Sequence, residues 1–223
     1  MKLRSLTYFF LFISLVTFIL GVWQLYRLNW KNELIENIEN SFRNPQLFNQ
    51  SKEYNELVAV NLDDDYNVIN QPIFLESKTQ QGKVGFHAIL PINHLGKSYS
   101  VINLGWLPTK DDSLILSILN RIENYENFRV YTRQFDDSKP YFVPENQIQK
   151  NIWFSVVKSD LEDFFNHDFL SKYYFVLFDP RIKSDVNPLA FLRNNHLNYS
   201  ITWFLLSLSS VIMILIIRRK HHG

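Results

Sequence analysis

The stretch "NNHLNYSITWFLLSLSSVIMILIIRRK", Asn194–Lys220, sets a histidine immediately before a membrane-length apolar run. Tyr199–Ile217 is 19 residues without a charge, closed by Arg218, Arg219 and Lys220. As a helix it is roughly 28 Å long, close to the roughly 30 Å hydrocarbon core of a bilayer. A second run opens the chain. "SLTYFFLFISLVTFILGVWQLY", residues 5–26, holds 22 uncharged residues between Arg4 and Arg27. In lipid both runs must be helical, because hydrocarbon offers the backbone no hydrogen-bonding partner. A cleaved export signal would have a shorter apolar core, about 7 to 15 residues, and a small-x-small site behind it. Here the run ends in Trp23, Gln24, Leu25 and Tyr26, so the first helix is expected to stay as an anchor.

Charge gives the expected orientation. The tails carry Lys2, Arg4, Arg218, Arg219 and Lys220 and no acid. All 22 acidic residues lie between Arg27 and Arg193 with 18 basic ones, a net charge of −4. Basic tails favour the cytoplasmic side. The expected layout is a transmembrane helix at 5–26, an extracytoplasmic domain at 27–198, a second transmembrane helix at 199–217 and a basic cytoplasmic tail at 218–223. The chain has no cysteine, which excludes disulfides, thiol catalysis and thiolate copper sites.

Between the helices the pattern changes. "NELIENIENSFRN", residues 32–44, spaces Leu34, Ile35, Ile38 and Phe42 as a short amphipathic helix continuing outward from the first. β-branched and aromatic runs then predict strands at 57–62, 69–75, 84–92, 98–107, 128–135, 152–157 and 173–178. "PTKDDS" predicts a helix capped by Asp111 or Asp112 and running to about Asn120. "SDLEDFFNHDFLSK" predicts another, capped by Ser159 or Asp160. The order indicates an α+β domain, its sheet mixed or mainly antiparallel, with helices on one side.

Nothing in this domain reads as an enzyme. Glycine-rich phosphate loops, a nucleophile elbow and H-E-x-x-H are all missing. His87 and His94 stand seven apart, and two histidines make a poor metal site. His167 reads as a surface or cap residue, and His221 and His222 as part of a basic tail facing lipid. Lysine and arginine are scattered through an acidic domain, so no nucleic-acid stripe is present.

The apolar helices carry more. Ser14, Thr17, Gly21 and Gln24 share a face of the first, with Trp23 beside it. His196, Ser200, Trp203, Ser207 and Ser210 follow the same spacing in the second. Small and hydroxylated residues let such helices approach and hydrogen-bond, which accounts for most of the stripe. His196 stands apart by depth. The expected topology puts it level with Trp23, Gln24 and Arg27, near Arg193. Two tryptophans, an imidazole and arginines could receive a haem, histidine as axial ligand and arginine against propionate. An interfacial histidine held by a structural hydrogen bond is the competing reading.

Four blocks then resemble the SURF1 family of cytochrome c oxidase assembly proteins: "GVWQLYRLNWK" (21–31), "VINLGWLPTK" (101–110), "YFVPENQIQKNIWFSVV" (141–157) and "FLRNNHLNYSITWF" (191–204). They occur in the family's order, with both apolar helices in place. The resemblance implies a non-enzymatic accessory factor for a haem–copper oxidase, binding haem a or assisting its insertion. Implied partners are the oxidase catalytic subunit, haem a synthase and membrane lipid. His196, Trp23, Gln24 and Arg27 match the family's residues at the helix ends, and Trp203 lies within the fourth block. Gly105, Trp106 and Pro108 match its middle motif, while Asn194 and Asn195 belong to the last. Leu104 stands where the family usually has arginine, and "VAVNLDDDY" lacks the family's early glycine. The short tail without an arginine-rich presequence indicates a bacterial inner membrane rather than a mitochondrion. Two other classes remain as readings: a scaffold without cofactor, holding an oxidase subunit through helix contacts, and a membrane-anchored extracytoplasmic enzyme.

Overall fold

The computed structural model describes residues 2–183, 192 and 194–222. Arg193 and Pro188 lie outside them, and so does Phe191 of the fourth block. The chain forms two compact units, residues 38–187 and residues 1–37 with 188–223.

In order, the elements are α1 (Lys2–Arg43), β1 (Gln46–Leu47), β2 (Ala59–Asp63), β3 (Tyr66–Val68), β4 (Ile73–Gln80), β5 (Lys83–His94) and β6 (Lys97–Leu107). Then come α2 (Asp112–Glu123), β7 (Asn127–Gln134), a 3-10 turn (Ile148–Lys150), α3 (Lys158–Phe165), β8 (Tyr173–Leu177) and α4 (His196–His222). The sheet has the order β1-β2-β7-β8-β6-β5-β3, and β4 also pairs with β5. The pairs β1–β2 and β6–β8 are parallel. Those of β5 with β3, β4 and β6, and of β7 with β2 and β8, are antiparallel. The expected mixed, mainly antiparallel sheet is therefore present.

The helices do not share one side of it. α2 lays Ile115, Ile118, Leu119 and Ile122 against a core that includes Leu62, Leu90, Ile102, Leu104, Phe128 and Phe175. α3 lays Leu161 and Phe165 against another, with Ile73, Ile89, Val101, Trp153, Tyr174 and Val176. Adjacent strand residues point to opposite faces. Phe175 and Val176, or Ile89 and Leu90, thus fall in different cores and mark both faces as covered. The reason is legible in β8, "YYFVL", which is buried throughout and does not alternate.

Two expected elements are also revised. Residues 152–157 make only single bridges, at Ile152, Trp153 and Val157. A bend at Phe154–Ser155 interrupts them, its two N–H groups donating to Asn146 Oδ1 at 2.8 and 3.2 Å. Pairing of 69–75 starts only at Ile73, after Pro72, which has no N–H to give, and continues to Gln80. β3 comes before it, a short strand the periodicity does not reveal. Asp111 caps α2 as expected, accepting the Ser113 N–H at 2.8 Å, and the helix runs on to Glu123. α3 starts earlier than its predicted caps. Val157, held extended by its bridge to Asp136, precedes it without a side-chain cap. Asp160 instead accepts from Asn146 Nδ2.

In the other unit, α1 and α4 are long and apolar enough to cross a membrane. Only 11% and 17% of their apolar windows are buried, which separates them from the core helices of a water-soluble protein. Their seam is polar and small. Ser14 and Ser207 hydroxyls lie 3.1 Å apart, and Ser200 Oγ donates to Gly21 O at 3.0 Å. As one residue number rises the other falls, so the helices are antiparallel. A Cβ on Gly21 would stand 2.7 Å from the Phe204 ring, so glycine is what allows the approach.

Candidate functional site

The seam ends at the start of α4, where the sequence placed its candidate histidine. Asn194 Oδ1 accepts the His196 N–H at 3.3 Å, and Tyr199 N–H donates to Asn195 O. The first contact satisfies a donor that the first turn of a helix leaves open, and the second is the first bond of the helix itself. Asn194 Nδ2 reaches the other helix, donating to Asn32 Oδ1 at 2.7 Å and Leu28 O at 3.3 Å. His196 follows it across, with Nδ1 2.6 Å from Gln24 Oε1. With the amide oxygen as acceptor Nδ1 is the donor, and in a neutral ring Nε2 is then the nitrogen with the lone pair. Among the described residues no hydrogen bond engages Nε2.

Of the predicted set, the structure brings His196, Gln24 and Asn194 together. Trp23, one position round the helix from Gln24, is half-exposed. Arg27 is exposed and places its guanidinium 3.9 Å from the Trp30 ring centroid, a cation–π contact. Trp203 is half-buried and lies two turns along α4 from His196. Asn195 is exposed beside the helix start. Asn32 and Trp30 were missed by sequence reasoning. The signal for Asn32 was there, since Gln24, Leu28 and Asn32 repeat at four-residue intervals on one face.

The middle motif forms a separate polar cluster within the sheet domain. Asn103 Oδ1 accepts the Gly105 N–H at 2.8 Å, and its Nδ2 lies 3.2 Å from His87 Nδ1. Burial pushes the His87 pKa down to about 4, and the Lys78 and Lys183 charges add to this. The imidazole is thus neutral and accepts through Nδ1. Gly105 has φ +86°, a conformation that favours glycine, and a Cβ there would meet only Lys183 Nζ at 3.3 Å. The close approach belongs to Gly85 instead, where a Cβ would come within 2.6 Å of the Trp106 indole. Trp106 Nε1 donates to Lys78 O at 3.1 Å, and Lys183 Nζ donates to the carbonyls of Leu104 and Trp106. Leu104, at the family's arginine position, is fully buried, so a side chain there faces the core. Pro108 follows the last residue of β6. This arrangement braces β5 against β6 where their register shifts between His87 and Ile89. Among the described residues there is no group of three or more metal-ligating side chains.

A profile of the SURF1 family matches residues 11–208, from inside the first apolar helix to inside the last. The chain belongs to the SURF1 family. A SURF1-like protein of Rickettsia conorii is 23% identical, the alignment covering 96% of this chain and 92% of the relative. One from Rickettsia felis is 24% identical over 93% and 96%. One from Caenorhabditis elegans is 25% identical over 90% and 70%. Membership of the SURF1 family carries a general role as an assembly factor that is not a catalyst.

Proposed function

We propose that this SURF1 family member binds haem a, or assists its insertion, during assembly of a haem–copper cytochrome c oxidase. The observation that carries the reading is the 2.6 Å contact between His196 Nδ1 and Gln24 Oε1. Iron ligation needs a neutral imidazole with one nitrogen available, and a hydrogen bond on the other nitrogen fixes tautomer and ring orientation. The donor set fits a haem in that respect. His196 would supply the axial nitrogen, Arg27 a cation for a propionate, and Trp23 and Trp203 aromatic surface. Iron and macrocycle would be cargo to be handed on, and the chain's own part is to hold and orient them. In this reading the chain lies in a bacterial inner membrane with both termini cytoplasmic and the sheet domain periplasmic, an orientation that basic tails favour. The oxidase catalytic subunit is the receiving partner, and haem a synthase the supplier.

Co-expression of the full chain with haem a synthesis tests this. Purified wild type is expected to carry a haem Soret band, and His196→Ala to lose it. Gln24→Ala should weaken haem retention by about 10- to 100-fold, as loss of an outer hydrogen bond does at metal sites. Wild type free of haem, together with normal oxidase maturation in His196→Ala, would overturn the proposal.

A second reading is favoured by the seam itself. Ser14–Ser207 and Gly21–Ser200 contacts pair the two helices directly, and a cofactor-free scaffold for an oxidase subunit needs helix contacts rather than a ligand. Under it Gly21→Leu, which drives a side chain into Phe204, abolishes maturation while His196→Ala does not.

A further inference from the structure

Outside both clusters, one segment of the sheet domain displays what folded proteins ordinarily hide. Pro140–Val143 is a β-turn closed by Val143 N–H to Pro140 O at 3.0 Å. Its two central residues are Tyr141 and Phe142, 92% and 94% exposed, their rings in edge contact at 5.1 Å. Neither ring is buried in the core, and hydrogen bonds tie down the chain on either side of the turn. Lys139 and Glu145 pair across its neck at 3.5 Å. On one side Asp136 N–H donates to Val156 O. On the other, Asn146 accepts from Phe154 and Ser155 and donates to Ser155 O and Asp160. Two adjacent aromatic rings on a hydrogen-bonded turn present apolar area that a partner can bury.

At the foot of the turn lies a groove of about 340 Å³. Asp137, Glu145 and Asp160 line it with one lysine, Lys139, over the aliphatic surfaces of Ile148 and Val157. Charge therefore selects the occupant. An anionic membrane surface would be repelled, whereas a lysine or arginine could lay its stem on Ile148 and Val157 and its head among the carboxylates. We propose that the 136–160 face docks a protein partner through a segment presenting a basic side chain beside an apolar one. The aromatic turn takes the apolar side chain and the groove takes the basic one. This site is independent of the haem reading.

The test installs the photocrosslinking residue p-benzoylphenylalanine at Phe142 of the full chain in living cells. The position is exposed, so the fold tolerates it. The expected adduct is a polypeptide whose crosslinked peptide carries more lysine and arginine than aspartate and glutamate. Asp137→Lys combined with Glu145→Lys should cut its yield about fivefold. Lys83→Glu, at the exposed start of β5, should leave it unchanged. Adducts to lipid alone, no adduct, or a polypeptide adduct indifferent to the charge reversal would each overturn the proposal.

Discussion

In the sheet domain the large apolar side chains are inside: Trp153, Phe175, Leu90 and Leu161 are fully buried. In the helix pair they are outside. Phe12, Leu15, Leu208 and Leu215 are each more than half exposed, while among the described residues Thr17, Gly21, Ser200, Ser207 and Ser210 are buried. One chain thus uses opposite rules in its two units. Water drives apolar area inward and leaves polar groups at the surface. Hydrocarbon has no such preference between helix and lipid, so contact goes to small residues and hydrogen-bonding hydroxyls. The difference teaches which solvent each unit is built for, independently of any family name.

The largest test deletes a ring from each unit. Trp153→Ala should destabilise the sheet domain by about 4 kcal/mol, because the indole is fully buried and its N–H donates to Asn151 Oδ1 at 2.7 Å. Phe12→Ala removes a ring that is 64% exposed and should leave the unfolding of the sheet domain unchanged. Denaturant unfolding of the full chain in mild detergent, followed by tryptophan fluorescence for Phe12→Ala and by far-UV circular dichroism for both, measures this. Equal losses would break the comparison.

The same contrast explains what could be read in advance. Long apolar runs without charge identify both helices of the pair, and hydroxyl spacing identifies their seam down to Ser14, Gly21 and His196. The side of the sheet on which the helices lie is not legible from the helices, because α2 and α3 both show one apolar face and neither shows which sheet face it meets. The missing clue was in the strands, whose unbroken apolar runs require two covers. The 152–157 segment looked like a strand by composition. Only the tertiary bonds of Asn146 reveal it as a bend. For the candidate site, residue identity located His196 and Gln24, but no sequence pattern gives the 2.6 Å contact between them.

A second test uses pH and acts on the sheet domain alone. His87 binds a proton in the unfolded chain near pH 6.5, but in the fold only near pH 4, chiefly because it is buried. Between these values the unfolded state holds more protons, so stability increases with pH. The contribution is fully present above about pH 6.5 and is lost as pH falls through about 4, an effect of about 3 kcal/mol. Denaturant midpoints measured from pH 7.5 to 4 should show this slope in wild type. His87→Gln, which keeps an acceptor for Asn103 but cannot titrate, should flatten it. A slope unchanged by the substitution would place the acid sensitivity elsewhere.

The smallest effect is the one that sharpens the comparison most. Ser207 Oγ donates to Ser14 O at 3.0 Å, and the two hydroxyls lie 3.1 Å apart. In hydrocarbon, with no water to compete, the first expectation is that such bonds are far stronger than those in water. Yet serines on separated helices also satisfy themselves on their own backbones, as Ser210 does here on Leu206 O at 3.0 Å. The reference state is therefore not destitute, and the Ser14→Ala/Ser207→Ala cycle should give a coupling of about 0.6 kcal/mol. Reversible dissociation of the helix pair in bicelles, followed by a donor–acceptor pair on α1 and α4, reads it. A coupling of several kcal/mol would mean that the hydroxyls hold the seam. A value near zero would leave close packing at Gly21 against Phe204 as its cause, and Gly21→Leu would then outweigh every polar substitution along the two helices.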